Sequence, residues 1–179
     1  MSTWAVLATG PSMCQALADS VRGRCYVVAV SDSYRLAPWA DAIASSDIAW
    51  WRQHPQAMGL PGVKFTAAPT WQGADQLARV PEAVSGTNSG LLGLMVAVRM
   101  GAKRVLLLGL DLRGDHFFGR HPEPPKNPDD HRLAVFCRQF EAYRPRGIEI
   151  LNCTPGSALD VYPRADLADC LAEPAIQHG

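Results

Sequence analysis

The sequence predicts an α/β fold with a doubly wound, mostly parallel β-sheet and helices on both of its faces. Apolar runs at residues 4–8, 25–30 and 104–109 are short and end in polar turns, as strands buried on both faces do. Segments with helical spacing separate these runs, and alternating strands and helices favour a parallel sheet. The length of 179 residues suits one domain, so we expect residues 1–179 to form a single unit.

The first half of the chain alternates strand and helix. After the first strand and the turn at residues 9–12, Cys14, Leu17, Ala18 and Val21 recur at helical spacing. The second strand stops at Ser31. We then predict a short helix at residues 39–43, a third strand at 47–51, a shorter strand at 64–66, and the least regular stretch at 54–84.

The second half continues the alternation. A polar cap at residues 86–90 precedes an apolar helical face that begins at Leu91, and Gly101 ends that helix. The strand at 104–109 follows and stops at Asp111. The later predictions are a loop or lid at residues 113–130, a helix whose apolar face runs from Leu133 to Tyr143, and a last strand at 148–153.

Composition excludes several classes of partner. Seventeen basic and seventeen acidic side chains cancel, so we expect no nucleic-acid partner. The longest apolar run, residues 105–110, is far below the roughly 20 residues that span a bilayer, and no secretory signal is recognisable at the start. We therefore expect a cytoplasmic protein without a membrane span. The five scattered cysteines predict reduced, mostly buried thiols.

In doubly wound sheets, ligands bind beyond the carboxyl ends of the strands, so polar residues after each strand are the candidates. The first cluster is Gly10, Pro11 and Ser12, where a glycine and free helix-start amides could receive a phosphate, although an ordinary turn would look the same. The second cluster holds Ser31, Asp32 and Ser33. The carboxylate could accept bonds from a ribose or a base amine, or it could simply cap a helix.

Two further clusters follow later strands. Residues 86–90, with Asn88, Ser89 and Gly90, offer hydroxyl, amide and backbone donors for phosphate or sugar oxygens, or only a helix cap. The fourth cluster is the densest set of titratable groups, in which a histidine could transfer a proton and a carboxylate could orient a ligand or hold Mg²⁺. Its alternative is a solvated loop, and its members are Asp111, Asp115, His116 and His121.

Three common catalytic motifs are absent from the sequence. There is no G-x-x-x-x-G-K-[ST] phosphate loop and no G-x-G-x-x-G after the first strand. There is also no G-x-S-x-G nucleophile elbow. These absences count against ATPases with such a loop, ordinary dehydrogenases and serine hydrolases.

The ordered clusters together resemble a known superfamily. G-P-S, S-D-S, T-N-S-G, G-A-K-R-V-x-L-x-G-x-D, H-F-F-G-x-H-P and N-C-T-P-G-S-A-L occur in that order between residues 6 and 159. The combination resembles Rossmann-like transferases, which include the sialyltransferases of glycosyltransferase family 42 and the 6-hydroxymethylpterin diphosphokinase-like proteins. The short H-F-F-G-x-H-P form looks most like phage-encoded relatives of that superfamily.

The resemblance implies roles for individual residues. His121 falls where the sialyltransferases carry a histidine general base, and His116 is the second candidate. Asp32 stands where they usually carry asparagine, and those enzymes are longer, with further segments that build the acceptor site. The residues expected to bind nucleotide are Gly10, Pro11, Ser12, Asp32, Ser33, Asn88, Ser89, Gly90, Asp111, Thr154, Gly156 and Ser157.

The leading expectation is a nucleotide-dependent transferase of the sialyltransferase-like kind, with a nucleotide-sugar donor and an unidentified acceptor. One alternative is an ATP- and Mg²⁺-dependent pyrophosphokinase with Asp111 near the metal, and another is a non-catalytic, phage-related binding or assembly protein. We expect no permanently bound cofactor, and a homo-oligomer remains open. Four tryptophans could form a contact surface, although core packing is favoured for most of them: Trp39, Trp50, Trp51 and Trp71.

Overall fold

The computed structural model describes residues 2–68, 77–83, 86–120 and 129–172. Within them a seven-stranded sheet has the order β5-β4-β3-β2-β1-β6-β7, and every neighbouring pair is parallel. This confirms the predicted Rossmann-like α/β fold class. The strands are β1 (Thr3–Leu7), β2 (Tyr26–Val30), β3 (Ala42–Ala44), β4 (Val63–Thr66), β5 (Ala78–Arg79), β6 (Arg104–Leu108) and β7 (Glu149–Asn152).

Helices cover both faces of the sheet. Alternate residues of β1 enter opposite cores, because side chains along a strand alternate between faces: Val6 packs with one core and Leu7 with the other. A short 3-10 helix (Ser31–Arg35) follows β2. The α-helices are α1 (Gln15–Val21), α2 (Ile48–Gln53), α3 (Pro55–Met58), α4 (Ser89–Arg99), α5 (Asp130–Ala142) and α6 (Leu167–Ala172).

The chain order places a topological switch point between β1 and β6. From β1 the chain builds β2, β3, β4 and β5 toward one edge. It then crosses through α4 and adds β6 and β7 on the other side of β1. The loops that leave β1 and β6 therefore diverge from adjacent strand ends, which is where open α/β sheets bind ligands.

Two predicted elements are wrong. Residues 42–44 form β3 where a helix was expected at 39–43, and residues 48–53 form α2 where a strand was expected at 47–51. The carboxylate of Asp47 accepts a hydrogen bond from the backbone amide of Ala49 at 2.7 Å, which caps α2 and fixes it as a helix. Trp50 and Trp51 of α2 are buried in the core, whereas Trp71 lies outside the described residues.

The structure tests the predicted lid and the predicted lack of a membrane span only in part. The predicted lid at 113–130 includes residues 121–128, which the structure does not describe, so it stays a prediction. None of the helices in the described ranges is long and apolar enough to cross a membrane.

The five cysteines form no disulfide bond, but only Cys153 is buried, so the prediction of mostly buried thiols is wrong. Burial raises the pKa of the Cys153 thiol to about 12, which keeps it protonated at neutral pH.

Helix α4 lies unusually close to the sheet at Gly93. A Cβ atom added to Gly93 would lie 2.6 Å from Cγ2 of Val30 and 3.0 Å from Cγ1 of Val6. Both valines are buried strand residues, and branched side chains in a packed core have little freedom to move. The absence of a side chain at Gly93 therefore sets the height of α4 above β1 and β2.

We predict that Gly93→Val lowers the free energy of unfolding by about 1–3 kcal/mol through overpacking. Helix propensity contributes little, because Gly and Val differ by less than about 0.5 kcal/mol on that scale. Urea unfolding followed by tryptophan fluorescence measures the change. Gly59→Ala is the control, because its Cβ would meet only the carbonyl oxygen of Gln56 at 3.6 Å. Equal stability of the two variants would contradict this account of the α4 contact.

Candidate functional site

A cleft of about 920 Å³ opens at the carboxyl edge of the sheet. Its walls are the turns after β1, β2, β3 and β6 together with the amino-terminal ends of α4 and α5. The volume falls within the range of small-molecule sites. The residues of the predicted clusters that line the cleft are Gly10, Ser31, residues 86–90, Asp111, Asp115 and His116.

The turns after β1 and β6 are locked together at the cleft. The Ser12 hydroxyl donates to Oδ2 of Asp111 at 2.8 Å, and the Ser12 amide does so at 3.3 Å. Gly10 allows this approach, since a Cβ there would overlap Oδ2 of Asp111 and lie 2.5 Å from the carbonyl oxygen of Gly109. Pro11 and Ser12 themselves do not line the cleft. Ser12 thus binds Asp111 from the side away from the cleft.

Asp111 keeps one oxygen available. The residue is only 4% exposed, yet it lines the cleft. Its side-chain hydrogen bonds within the described part of the chain all go to Oδ2, so Oδ1 has no protein donor there. A carboxylate oxygen in that position can accept a ligand hydroxyl or coordinate a hard cation.

The amino terminus of α4 is fixed at the cleft by its own cap, by a side chain of α5 and by the backbone of the turn after β3. Asn88 caps the helix, because its Oδ1 accepts from the Leu91 amide at 2.8 Å. Oε1 of Gln139, on α5, accepts from both the backbone and the side-chain amide of Asn88 at 3.0 and 2.9 Å. The Ser89 hydroxyl accepts from the Ser46 amide at 3.0 Å. The first backbone amides of an α-helix lack intrahelical acceptors and favour anions.

Ser46 adds a polar atom that needs a partner. Its hydroxyl oxygen is buried, and no described residue forms a hydrogen bond with it. Ser46 lines the cleft together with Ser89. Buried hydroxyls nearly always have a partner in folded proteins, so the Ser46 hydroxyl is an exception among the described residues.

His116 lies on the cleft wall in a fixed orientation. Its Nδ1 shares a hydrogen bond with the Thr9 hydroxyl at 2.9 Å, and its ring stacks on Phe118 with centroids 5.0 Å apart. The amide of Phe117 donates to the carbonyl of Thr9 at 2.9 Å, which ties this loop to the end of β1. Thr9 also lines the cleft, although no sequence pattern singles it out. His121 lies outside the described residues.

Asp32 and Ser33 lie beside the cleft but do not line it. Asp32 is 2% exposed, accepts from the Trp50 indole at 2.8 Å, and pairs with Arg35 at 2.9 Å. The Ser33 hydroxyl donates to the carbonyl of Ala8 at 2.8 Å. Asp32 thus anchors α2 to the end of β2, and its carboxylate is already engaged by protein donors. We therefore do not include these two residues in the proposed ligand site.

The loop at residues 154–157 also lies behind the cleft wall. Thr154 accepts from the Leu110 amide at 3.0 Å, and the Ser157 hydroxyl donates to the Leu110 carbonyl at 2.6 Å. Neither residue lines the cleft, and Gly156 does not line it either. The loop braces the turn after β6 from the side of β7.

Two strained residues border the cleft. Ser31 and Leu112 have φ angles of 44° and 50°, and they are the non-glycine residues with positive φ among those described. Both line the cleft. A left-handed backbone at a side-chain-bearing residue costs free energy and is concentrated at functional sites. No pattern of residue types in the sequence indicates this strain.

A metal ion would need help from a ligand at this site. Within the described ranges, no three His, Cys, Asp or Glu side chains are placed to hold a metal. Asp111 could supply one oxygen through Oδ1. Mg²⁺ is commonly bound by one or two carboxylates together with substrate phosphates and water, so Asp111 fits Mg²⁺ only when a nucleotide supplies further oxygens.

Comparisons with protein-family models, with curated proteins and with solved structures found no match to this chain. The proposals below therefore depend on the cleft and on its residues.

We predict that Asp32→Ala lowers the free energy of unfolding by about 1–3 kcal/mol, because it leaves the buried Trp50 indole without an acceptor. The exposed Asp19→Ala is the control and should change stability by less than about 0.5 kcal/mol. Chemical denaturation measures both variants. If Asp32→Ala leaves stability unchanged but selectively weakens nucleotide binding, Asp32 belongs to the ligand site.

Proposed function

We propose that the protein is a nucleotide-dependent transferase that binds the phosphates of a nucleotide or nucleotide-sugar donor in this cleft. The observation that carries the proposal is a convergence at the switch point of the sheet. There the glycine turn after β1 faces the same cleft as the amino terminus of α4. Nucleotide phosphates bind at such positions in doubly wound folds.

The cleft offers several groups that suit phosphate and sugar oxygens. The amides of Ser89 and Gly90 lie at the positive end of the α4 dipole. Gly10 lines the cleft, and its lack of a side chain leaves the space that the Asp111 carboxylate occupies. Oδ1 of Asp111 can accept from a ligand hydroxyl. We assign the donor to this part of the cleft.

His116 supplies the acid–base chemistry among the described residues. For glycosyl transfer, the imidazole takes the proton of the acceptor hydroxyl while that oxygen bonds to the anomeric carbon. The bond from the anomeric carbon to the donor phosphate breaks, and the nucleotide leaves with its electron pair. The resemblance to glycosyltransferase family 42 assigns the proton transfer to His121, which remains the alternative base.

One observation supports a second transferase activity, pyrophosphoryl transfer. The unpaired Oδ1 of Asp111 could hold Mg²⁺ against the phosphates of ATP, as a pyrophosphokinase requires. In that reaction the acceptor oxygen attacks the β-phosphorus of ATP, and AMP leaves. Magnesium dependence of nucleotide binding separates this activity from sugar transfer.

We predict that at least one of CMP, CDP, UDP, GDP and ATP raises the melting temperature of the protein in a thermal-shift screen. A ligand at 100 times its Kd stabilises the folded state by about 2.7 kcal/mol. Stabilisation without Mg²⁺ supports a nucleotide-sugar donor, and stabilisation that requires Mg²⁺ supports pyrophosphoryl transfer. Absence of any shift at millimolar ligand contradicts both activities and favours the non-catalytic, phage-related binding protein.

The Gly10→Ala variant tests whether the nucleotide that stabilises the protein binds in the cleft. Its methyl group cannot coexist with the present position of Asp111, so the ligand-induced shift should decrease. Gly59→Ala is the matched control and should keep the wild-type shift. An undiminished response of Gly10→Ala would place the nucleotide elsewhere on the protein.

A further inference from the structure

Arg113 is a cation in the cleft wall that forms no ion pair with any of the described residues. It follows β6 in the turn that also contains Asp111, and its side chain is exposed on the cleft. In the described ranges, no hydrogen bond or ion pair joins its guanidinium to another residue. By contrast, the cleft residue Arg132 rests over the ring of Phe136 at 5.3 Å.

The carboxylates that line the cleft form no ion pair with Arg113 among the described residues. Asp111 accepts from Ser12, and Asp115 lies 3.7 Å from the guanidinium of Arg120. Asp47 and Asp129 each accept a backbone amide at the start of a helix, both through Oδ1. The guanidinium of Arg113 can therefore donate to a bound anion without first breaking an ion pair with a described residue.

The guanidinium of Arg113 also packs against Gly156. A Cβ added to Gly156 would lie 2.5 Å from Nη2 of Arg113 and 3.5 Å from its Cζ, so the side chain packs on the bare backbone of Gly156. Gly156 has a φ of 63°, which side-chain-bearing residues rarely adopt. The preceding residue, Leu112, is itself in the left-handed region, with a φ of 50°. Both features fix the direction in which the Arg113 side chain leaves the turn after β6.

We propose that Arg113 is the residue that recognises the donor phosphate, a role that rests on the nucleotide-binding function proposed above. A guanidinium donates two parallel N–H groups to a phosphate and provides a full charge that backbone amides lack. Arg113 and the amino terminus of α4 line the same cleft, so together they hold an anion from two sides. The loop at residues 154–157 then contributes to binding by positioning Arg113, without contacting the ligand itself.

Calorimetric titration of Arg113→Gln tests this role. The probes are inorganic pyrophosphate, the five nucleotides of the screen, and their unphosphorylated nucleosides. Loss of a hydrogen bond to a charged group predicts about 10- to 150-fold weaker binding of nucleotide and pyrophosphate. The affinity for nucleosides should not change. Arg113→Lys should recover part of the lost affinity, because lysine restores the positive charge without the two parallel N–H donors of a guanidinium.

Arg138→Gln is the matched control, since Arg138 is exposed on α5 and does not line the cleft. It removes the same charge and should bind like wild type. Arg113→Gln should keep the wild-type melting temperature without ligand, because Arg113 forms no hydrogen bond or ion pair with the described residues.

Three results would overturn the role of Arg113. If Arg113→Gln binds a nucleotide as tightly as wild type does, the inference fails while the proposed function stands. If Arg113→Gln and Arg138→Gln weaken binding equally, the effect is one of net charge alone, and the inference fails again. If wild type binds neither pyrophosphate nor any nucleotide, the proposed function fails and this role fails with it.

Discussion

The contact of Asp111 with Gly10 and Ser12 is the constraint on which the candidate site depends. It joins the turns after β1 and β6, the two adjacent strands whose chains diverge at the switch point. The contact needs a glycine, because any side chain at residue 10 would occupy the space of the carboxylate. It also orients Asp111 so that one oxygen is bound to the protein and the other is left for a ligand.

Around this contact, the structure divides the polar residues into two groups. One group lines the cleft and includes Ser89, His116 and Arg113. The other group holds the first in place from behind: Gln139 fixes the start of α4, and Thr154 and Ser157 fix the turn after β6. A polar residue at a strand end can serve either purpose, and only the tertiary contacts show which one it serves.

The sequence predicted the fold because its clearest signals belong to the central strands. Residues 4–8, 25–30 and 104–109 are apolar runs between polar turns, and they form β1, β2 and β6 within a residue or two. The short elements between β2 and β4 were assigned wrongly. Three-residue β3 is too short to show a period, and the aromatic residues of α2 suit a strand as well as a buried helix.

The candidate site was predictable in position but not in detail. Strand-end reasoning selected Gly10, Ser89 and Asp111, all of which line the cleft. The same reasoning selected Asp32, whose partner Trp50 lies on a helix that the sequence pattern did not reveal. Arg113 had no distinguishing pattern, because its environment depends on Gly156, which is distant in sequence, and on the lack of an ion pair with any described residue. The role of His121 stays a prediction.

If the separate turns form one phosphate-binding surface at the carboxyl edge of the sheet, a bound nucleotide must perturb all of them. Two-dimensional NMR can follow the amide chemical shifts during titration with CMP, CDP and ATP. We expect the amides of Gly10, Ser89, Gly90, Asp111 and Arg113 to shift together with one saturating binding curve. Ser2 and Lys103, which lie at the opposite edge of the sheet, should not move. Shifts centred on Ser2 and Lys103, or no shifts at millimolar nucleotide, would contradict the claim.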